Sequence, residues 1–345
     1  MMNNPYLKEY NCVRKNKGIV LFFVAIVVFV SVNSVYSAEI NILSLKQEAE
    51  HGSIRAQEQL GRYYYYGKYI NKDYQQAAKW FLKAAEQGDP DAQYSLGILY
   101  SRGHGVSQDY KKMFNWYTKA ASKGMVEAQS DLGVAYEYGK GTTRNYKQAE
   151  YWYLKAAEKN YSAAQLNLGL IYLDGKVGAP NYSLAKEWFM HAANKNEPMA
   201  EFNLGRMYYL GIGVEKDDRK AVEWLQKGAE HGSMEAKNSL AFFYFNGNGG
   251  LPIDKDKAIH LLQQSAMQGW GEAQYNLGML YEEGTDNLPK NYLKAYAWYS
   301  VASVNGKEEA KKNREHIGSQ LTKGQMEEAR VLSDEYIYKY HWQHD

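Results

Sequence analysis

An alanine returns every 36 residues through most of the chain, at Ala56, Ala92, Ala128, Ala164, Ala200 and Ala236, then after one step of 37 at Ala273. A leucine follows four positions later (Leu60, Leu96, Leu132, Leu168, Leu204, Leu240, Leu277), and a tyrosine four beyond that (Tyr64, Tyr100, Tyr136, Tyr172, Tyr208, Tyr244, Tyr281). Positions i, i+4 and i+8 share one stripe of an α-helix, so the three columns face a common partner. Glycine follows the leucine in every copy but the sixth, which has Ala241, and the spacing predicts a close backbone approach there. A chain with this period is built of small helical units, none able to bury its stripe alone, so neighbours must stack.

The rest of the period describes a second helix. Gly67, Gly103, Gly139, Gly175, Gly211, Gly247 and Gly284 mark the end of the first. Asp73, Asp109, Asn145, Asn181, Asp217, Asp254 and Asn291 are short acceptors suited to capping the next. One face of that helix carries Ala77, Met113, Ala149, Ala185, Ala221, Ala258 and Ala295, with Trp80, Trp116, Trp152, Trp188, Trp224, Leu261 and Trp298 three residues later. Of eight tryptophans in the chain, six lie in this column, which reads as core. Gly88, Gly124, Asn160, Asn196, Gly232, Gly269 and Gly306 close the unit; asparagine is the main non-glycine residue that tolerates a left-handed cap.

The joined pattern A-x-x-x-L-G-x-x-Y-x-x-G and A-x-x-W-x-x-x-A-A-x-x-G resembles the Sel1-like repeat, a relative of the tetratricopeptide repeat. The resemblance implies an all-α fold, an α/α solenoid wound as a right-handed superhelix of about seven helical hairpins with a C-terminal capping helix. The units read as 56–91, 92–127, 128–163, 164–199, 200–235, 236–272 and 273–309, with the repeat pattern itself covering 56–306. A half repeat fills 38–55, and 307–345 holds capping helices, including Leu321 to Ala329, and a tail. The sixth unit departs most, with Ala241, Leu261 and a glycine-rich loop one residue longer, which predicts a local bend or softer junction.

Residues 1–37 read as a leader. A basic stretch ending at Lys17 precedes the unbroken apolar run Ile19 to Val30, whose twelve residues suit a signal peptide better than a spanning helix of about 20. Val35-Tyr36-Ser37 offers a cleavage site before Ala38; an uncleaved signal-anchor is the alternative. Either way the body is exported: periplasmic or secreted, or anchored in the inner membrane and facing the periplasm. Lys8, Arg14, Lys15 and Lys17 against Glu9 give the leader more positive charge than the chain's net +2, which leaves a nearly neutral, slightly acidic body without the footprint of a nucleic-acid binder. The single cysteine, Cys12, also lies in the leader, which excludes cysteine chemistry from the body.

Catalytic constellations are not legible. Gly103-His104-Gly105, Gly139-Lys140-Gly141 and Gly211-Ile212-Gly213 follow helices, not strands, and read as turns instead of phosphate cradles. The histidines are scattered: His51 and His231 precede cap glycines, and His341 and His344 lie in the tail. The sequons at Asn160 and Asn181 coincide with cap columns. No catalytic residue, cofactor or metal is expected.

Positions that the repeat does not prescribe carry the functional expectation. Counting the first alanine as one, positions 3, 7, 10 and 11 lie away from the Ala-Leu-Tyr stripe, on the face that is concave in related solenoids. More than half of them are aliphatic, aromatic or methionine, which a purely solvated face does not need. Tyr65, Tyr66, Arg102, Tyr138, Leu173, Arg206, Tyr209, Phe242, Phe245 and Met279 are the predicted partner-binding residues, holding a protein partner as a peptide or helix. The expectation is a non-enzymatic exported scaffold serving envelope assembly, host-cell interaction or virulence. A peptidoglycan or glycan binder is the alternative, and a β-lactamase-like hydrolase a weaker one, because the relatives assigned that activity resemble a cysteine-rich subset.

Overall fold

A computed structural model describes residues 42–341. Among them are seventeen helices and no strand, apart from an isolated bridge between Thr285 and Leu288. The chain forms two compact units that divide after Asn145. The first holds α1 (42–50), α2 (Ile54–Tyr66), α3 (Tyr74–Glu86), α4 (Pro90–Arg102), α5 (Tyr110–Ser122) and α6 (Val126–Tyr138). The second holds α7 (Tyr146–Ala157), α8 (Ser162–Leu173), α9 (Tyr182–Ala193), α10 (Pro198–Leu210), α11 (Asp218–Glu230) and α12 (Met234–Asn246). It continues through α13 (Lys255–Met267), α14 (Gly271–Glu283), α15 (Tyr292–Val304), α16 (Glu308–Gln320) and α17 (Lys323–Tyr340). Within each unit, successive antiparallel hairpins pack on their neighbours. The leader, its cleavage site, Cys12, His344 and Asp345 lie outside the described residues. No helix among the described residues is long and apolar enough to cross a membrane.

The capping columns do what their chemistry predicts. Asp73 Oδ1 accepts from the backbone N–H groups of Gln75 and Gln76 at 2.9 and 3.0 Å. Asp109, Asn181, Asp217, Asp254 and Asn291 cap their helices in the same way. Asn160 and Asn196 adopt φ of 65° and 60°, the left-handed values expected at those two exceptions.

Two features of the core were not legible as such. The leucine-adjacent glycine does not mainly admit backbone: a Cβ at Gly97 would lie 2.4 Å from the Tyr117 ring, and one at Gly169 equally close to Phe189. Gly61 meets Phe81 and Gly278 meets Tyr299 in the same manner. The ring on the glycine sits one residue after the tryptophan column. That next column (Phe81, Tyr117, Tyr153, Phe189, Leu225, Leu262, Tyr299), unlike the tryptophan column, is buried in every copy. The tryptophan reading is corrected accordingly. Trp80 and Trp298 are buried, but Trp116, Trp152, Trp188 and Trp224 are half-buried. Two of these outer faces take up lysine, with Lys119 Nζ 3.9 Å from the Trp116 ring centre and Lys227 Nζ 4.2 Å from that of Trp224.

The second feature is a buried glutamine directly after the repeat alanine. Gln57, Gln93, Gln129, Gln165 and Gln274 each donate Nε2 to the carbonyl eight residues back, at 2.9–3.2 Å, tying each first helix to the end of the helix before it. Repeat five has Glu201 in this column, buried, with Oε2 2.7 Å from His231 Nδ1. His231 is therefore a structural partner as well as a residue before a cap.

The turns described by Gly-x-Gly are packing devices. A Cβ at Gly105 would fall 2.2 Å from the Tyr74 carbonyl at the start of α3, so the turn lies directly on the preceding repeat's second helix. At the C-terminus, Thr322 and Gln325 form a capping box that starts α17. Trp298 of α15 stacks on Tyr340 of α17, with ring centres 5.4 Å apart and planes at 18°, and meets Tyr336 at 4.7 Å. The terminal helix thus covers the last repeat's exposed aromatic face.

Candidate binding cavity on repeats five to seven

Three first helices, α10, α12 and α14, line a cavity of about 570 Å³ in the second unit. Its walls are Phe202, Tyr209, Leu210, Phe242, Phe245, Met279 and Leu280, and its lining also includes Leu225 of α11 and Leu262 of α13. The two leucines explain why the cavity is here. They occupy the column in which Phe81, Tyr117, Phe189 and Tyr299 lay a ring on the first-helix glycine. A leucine is shorter than a ring, and in repeat six the glycine is also replaced, by Ala241, itself part of the lining. Space that a ring fills in the other copies stays open.

Aromatic side chains shape the rim. Tyr209 packs edge-on against Phe243 at 5.4 Å and against Phe242 at 6.1 Å. Phe242 is 46% exposed and Leu210 52%, high values for apolar side chains beside a cavity. The polar lining consists of Arg206, Asn238, Ser239, Asn276 and Glu283. Asn276 Nδ2 donates to Asn238 Oδ1 at 3.0 Å, a bond that links repeats six and seven.

Of the predicted partner-binding residues, Arg206, Tyr209, Phe242, Phe245 and Met279 are brought together in this cavity. Tyr65 and Tyr66 line a smaller one of about 360 Å³ in the first unit, beside Arg62, Phe81 and Tyr94. That site is more polar: Arg62 pairs with Glu58 at 3.5 Å, and the Tyr94 hydroxyl donates to Asp131 Oδ2 at 2.9 Å. Burial pushes the Asp131 carboxyl above the ordinary carboxylate range, opposed in part by the Tyr94 bond. Arg102 and Tyr138 stand exposed on the first unit, while Leu173 is half-buried against the core of repeats four and five. Leu225, Leu262 and Asn276 were missed. The signal for the two leucines was available, as adjacent exceptions in an otherwise aromatic column.

No group of three or more His, Cys, Asp or Glu side chains among the described residues is arranged to hold a metal ion. Two of the shifted titrations belong to tyrosines that pack the hairpins. The Tyr172 and Tyr299 hydroxyls are pushed up by burial and by donating to Glu150 and Glu282, both at 2.6 Å.

The Sel1 repeat model matches seven segments of the chain, 54–89, 90–125, 126–161, 162–197, 198–233, 235–270 and 271–306. Among solved structures, a Sel1 repeat protein from Oxalobacter formigenes is 33% identical, with a TM-score of 0.66 over 82% of this chain and 81% of that one. A protective antigen present in uropathogenic Escherichia coli strains and displaying an SLR fold is 30% identical, with a TM-score of 0.52 over 87% of this chain and 72% of that one. No curated protein matches.

Proposed function

The chain belongs to the Sel1 repeat family, and from that premise we propose that it is a non-enzymatic scaffold whose repeats five to seven dock a protein partner. Repeats of this family generally serve protein interaction. The observation that carries the proposal is the cavity between α10, α12 and α14, where exposed apolar side chains stand around space that the repeat pattern fills elsewhere. The non-catalytic reading is supported by the placement of the polar residues, many of which serve as caps, helix ties and inter-repeat bonds.

Export is part of the same proposal and rests on the basic and apolar leader. Envelope assembly or host-cell contact follows as the setting. The similar Escherichia coli protein is described as a protective antigen, which motivates a test of export here.

The full chain, used as bait in extracytoplasmic and host-cell extracts, should capture a partner that the variant Ala241→Gly/Leu262→Tyr does not. That pair of substitutions installs the glycine and ring found in other repeats, filling the cavity without importing a charge. Equal capture by both forms would remove the cavity from the function. N-terminal sequencing of the exported protein tests the leader: a start at Ala38 supports cleavage, and an intact leader supports anchoring.

A further inference from the structure

The cavity of repeats five to seven carries a polar pattern that its apolar lining does not require. Arg206 stands on α10 and Glu283 at the end of α14, both exposed. Among the described residues neither has an ion-pair partner. The two sides of the cavity are thus oppositely charged. The lining on α12 and α14 also holds the carboxamide pair Asn238 and Asn276, both half-buried. Their mutual bond uses Asn276 Nδ2 and Asn238 Oδ1, leaving Asn238 Nδ2 as donor and Asn276 Oδ1 as acceptor. A remaining donor and a remaining acceptor match the C=O and N–H of an extended peptide. A helix offers no such pair, because its backbone groups are bonded internally.

Resting on the reading that this cavity docks a protein, we infer that its occupant is an extended peptide of about six residues with an acidic side chain at α10, a basic one at α14 and large apolar side chains between. Arg206 selects the acid, since a guanidinium presents a planar fork to a carboxylate. Glu283 selects the base. Phe242, Leu210 and Met279 cover the apolar side chains. Length follows from geometry: directly packed helices lie about 8–10 Å apart, so three first helices of successive repeats span at least about 16–20 Å. An extended chain covers that distance in about five or six residues.

The test uses the full chain and fluorescently labelled, terminally blocked hexapeptides with leucine and phenylalanine at inner positions, read by anisotropy. One peptide ends in Glu and Lys; others end in two Glu, two Lys or two Gln, and a last form of the Glu/Lys peptide is N-methylated at its central residues. The Glu/Lys peptide should bind best, with each end charge worth about two- to fivefold, as for an exposed ion pair. Glu283→Lys should shift the preference to the peptide with two Glu, and Arg206→Glu to the one with two Lys. N-methylation should weaken binding by about two- to tenfold through the lost backbone bonds.

Equal affinity for the charged and Gln-ended peptides, or indifference to N-methylation, overturns the inference. So does failure of every hexapeptide to bind. In each of those cases the docking reading stands if Ala241→Gly/Leu262→Tyr still abolishes partner capture, and falls with the inference if it does not.

Discussion

At the scale of single residues, the repeat works through contacts that tolerate little change. Gly169 lies under the Phe189 ring, and an added methyl would meet ring carbons at 2.4 Å. Gly169→Ala gains helix propensity of up to about 1 kcal/mol, but overpacking costs about 1–3 kcal/mol. A net loss in urea unfolding is expected. Gly205→Ala should be milder, because it meets Leu225 at 2.8 Å and the sixth repeat already pairs Ala241 with Leu262. Equal effects at the two sites would contradict the ring account. Glu201 and His231 supply a second test. His231→Ala leaves a buried carboxylate without its partner, an expected loss of about 1–3 kcal/mol. Glu201→Gln/His231→Gln should recover most of it, since Gln87 Nε2 already donates to Gln57 Oε1 at 2.7 Å in the first repeat.

Asp131 adds a pH dependence of defined sign. Its folded carboxyl titrates above the ordinary range, chiefly because burial disfavours the charge. The folded state therefore holds the proton more tightly than the unfolded one, and this group's contribution to stability rises as pH falls through the raised folded value, levelling off below the ordinary one. Asp131→Asn should raise stability at neutral pH and flatten the profile in mild acid. A steeper dependence in the variant would refute the assignment.

At the scale of the element, helix ends are set locally and independently of packing. Asn181→Ala removes the acceptor for the Leu184 N–H and should cost about 1 kcal/mol, read by thermal unfolding. The burial of each second helix is a different matter. Its periodicity announces an apolar face but not the rotation of that face, and the tryptophan column turns out to sit at its edge. Two adjacent aromatic columns one residue apart are about 100° apart on a helix, and either can face inward. Contact with the first-helix glycine decides between them, and the glycine belongs to a different helix.

At the scale of the whole molecule, each hairpin depends on its neighbours, so a terminal surface needs a cover. α17 supplies it over α15 through Trp298, Tyr336 and Tyr340, and burial pushes the Tyr336 hydroxyl up to about 12. Replacing Tyr336 and Tyr340 by serine should lower hydrogen-exchange protection first in α15 and α16, with α2 to α4 unaffected. Uniform loss across both units would argue against nearest-neighbour coupling.

Helix number, repeat period, cap positions and the turn conformations at Asn160 and Asn196 were determined by the sequence, because each follows from side-chain chemistry acting within a few residues of its own backbone. The surface bearing Arg206, Tyr209, Phe242, Phe245 and Met279 was also legible, as positions that the repeat leaves unprescribed. Only the tertiary structure decided that these five share a cavity, that Tyr65 and Tyr66 belong to another, and that Leu225 and Leu262 help line the first. A cavity is the volume left between helices, and it is set by the length of side chains contributed by several repeats at once.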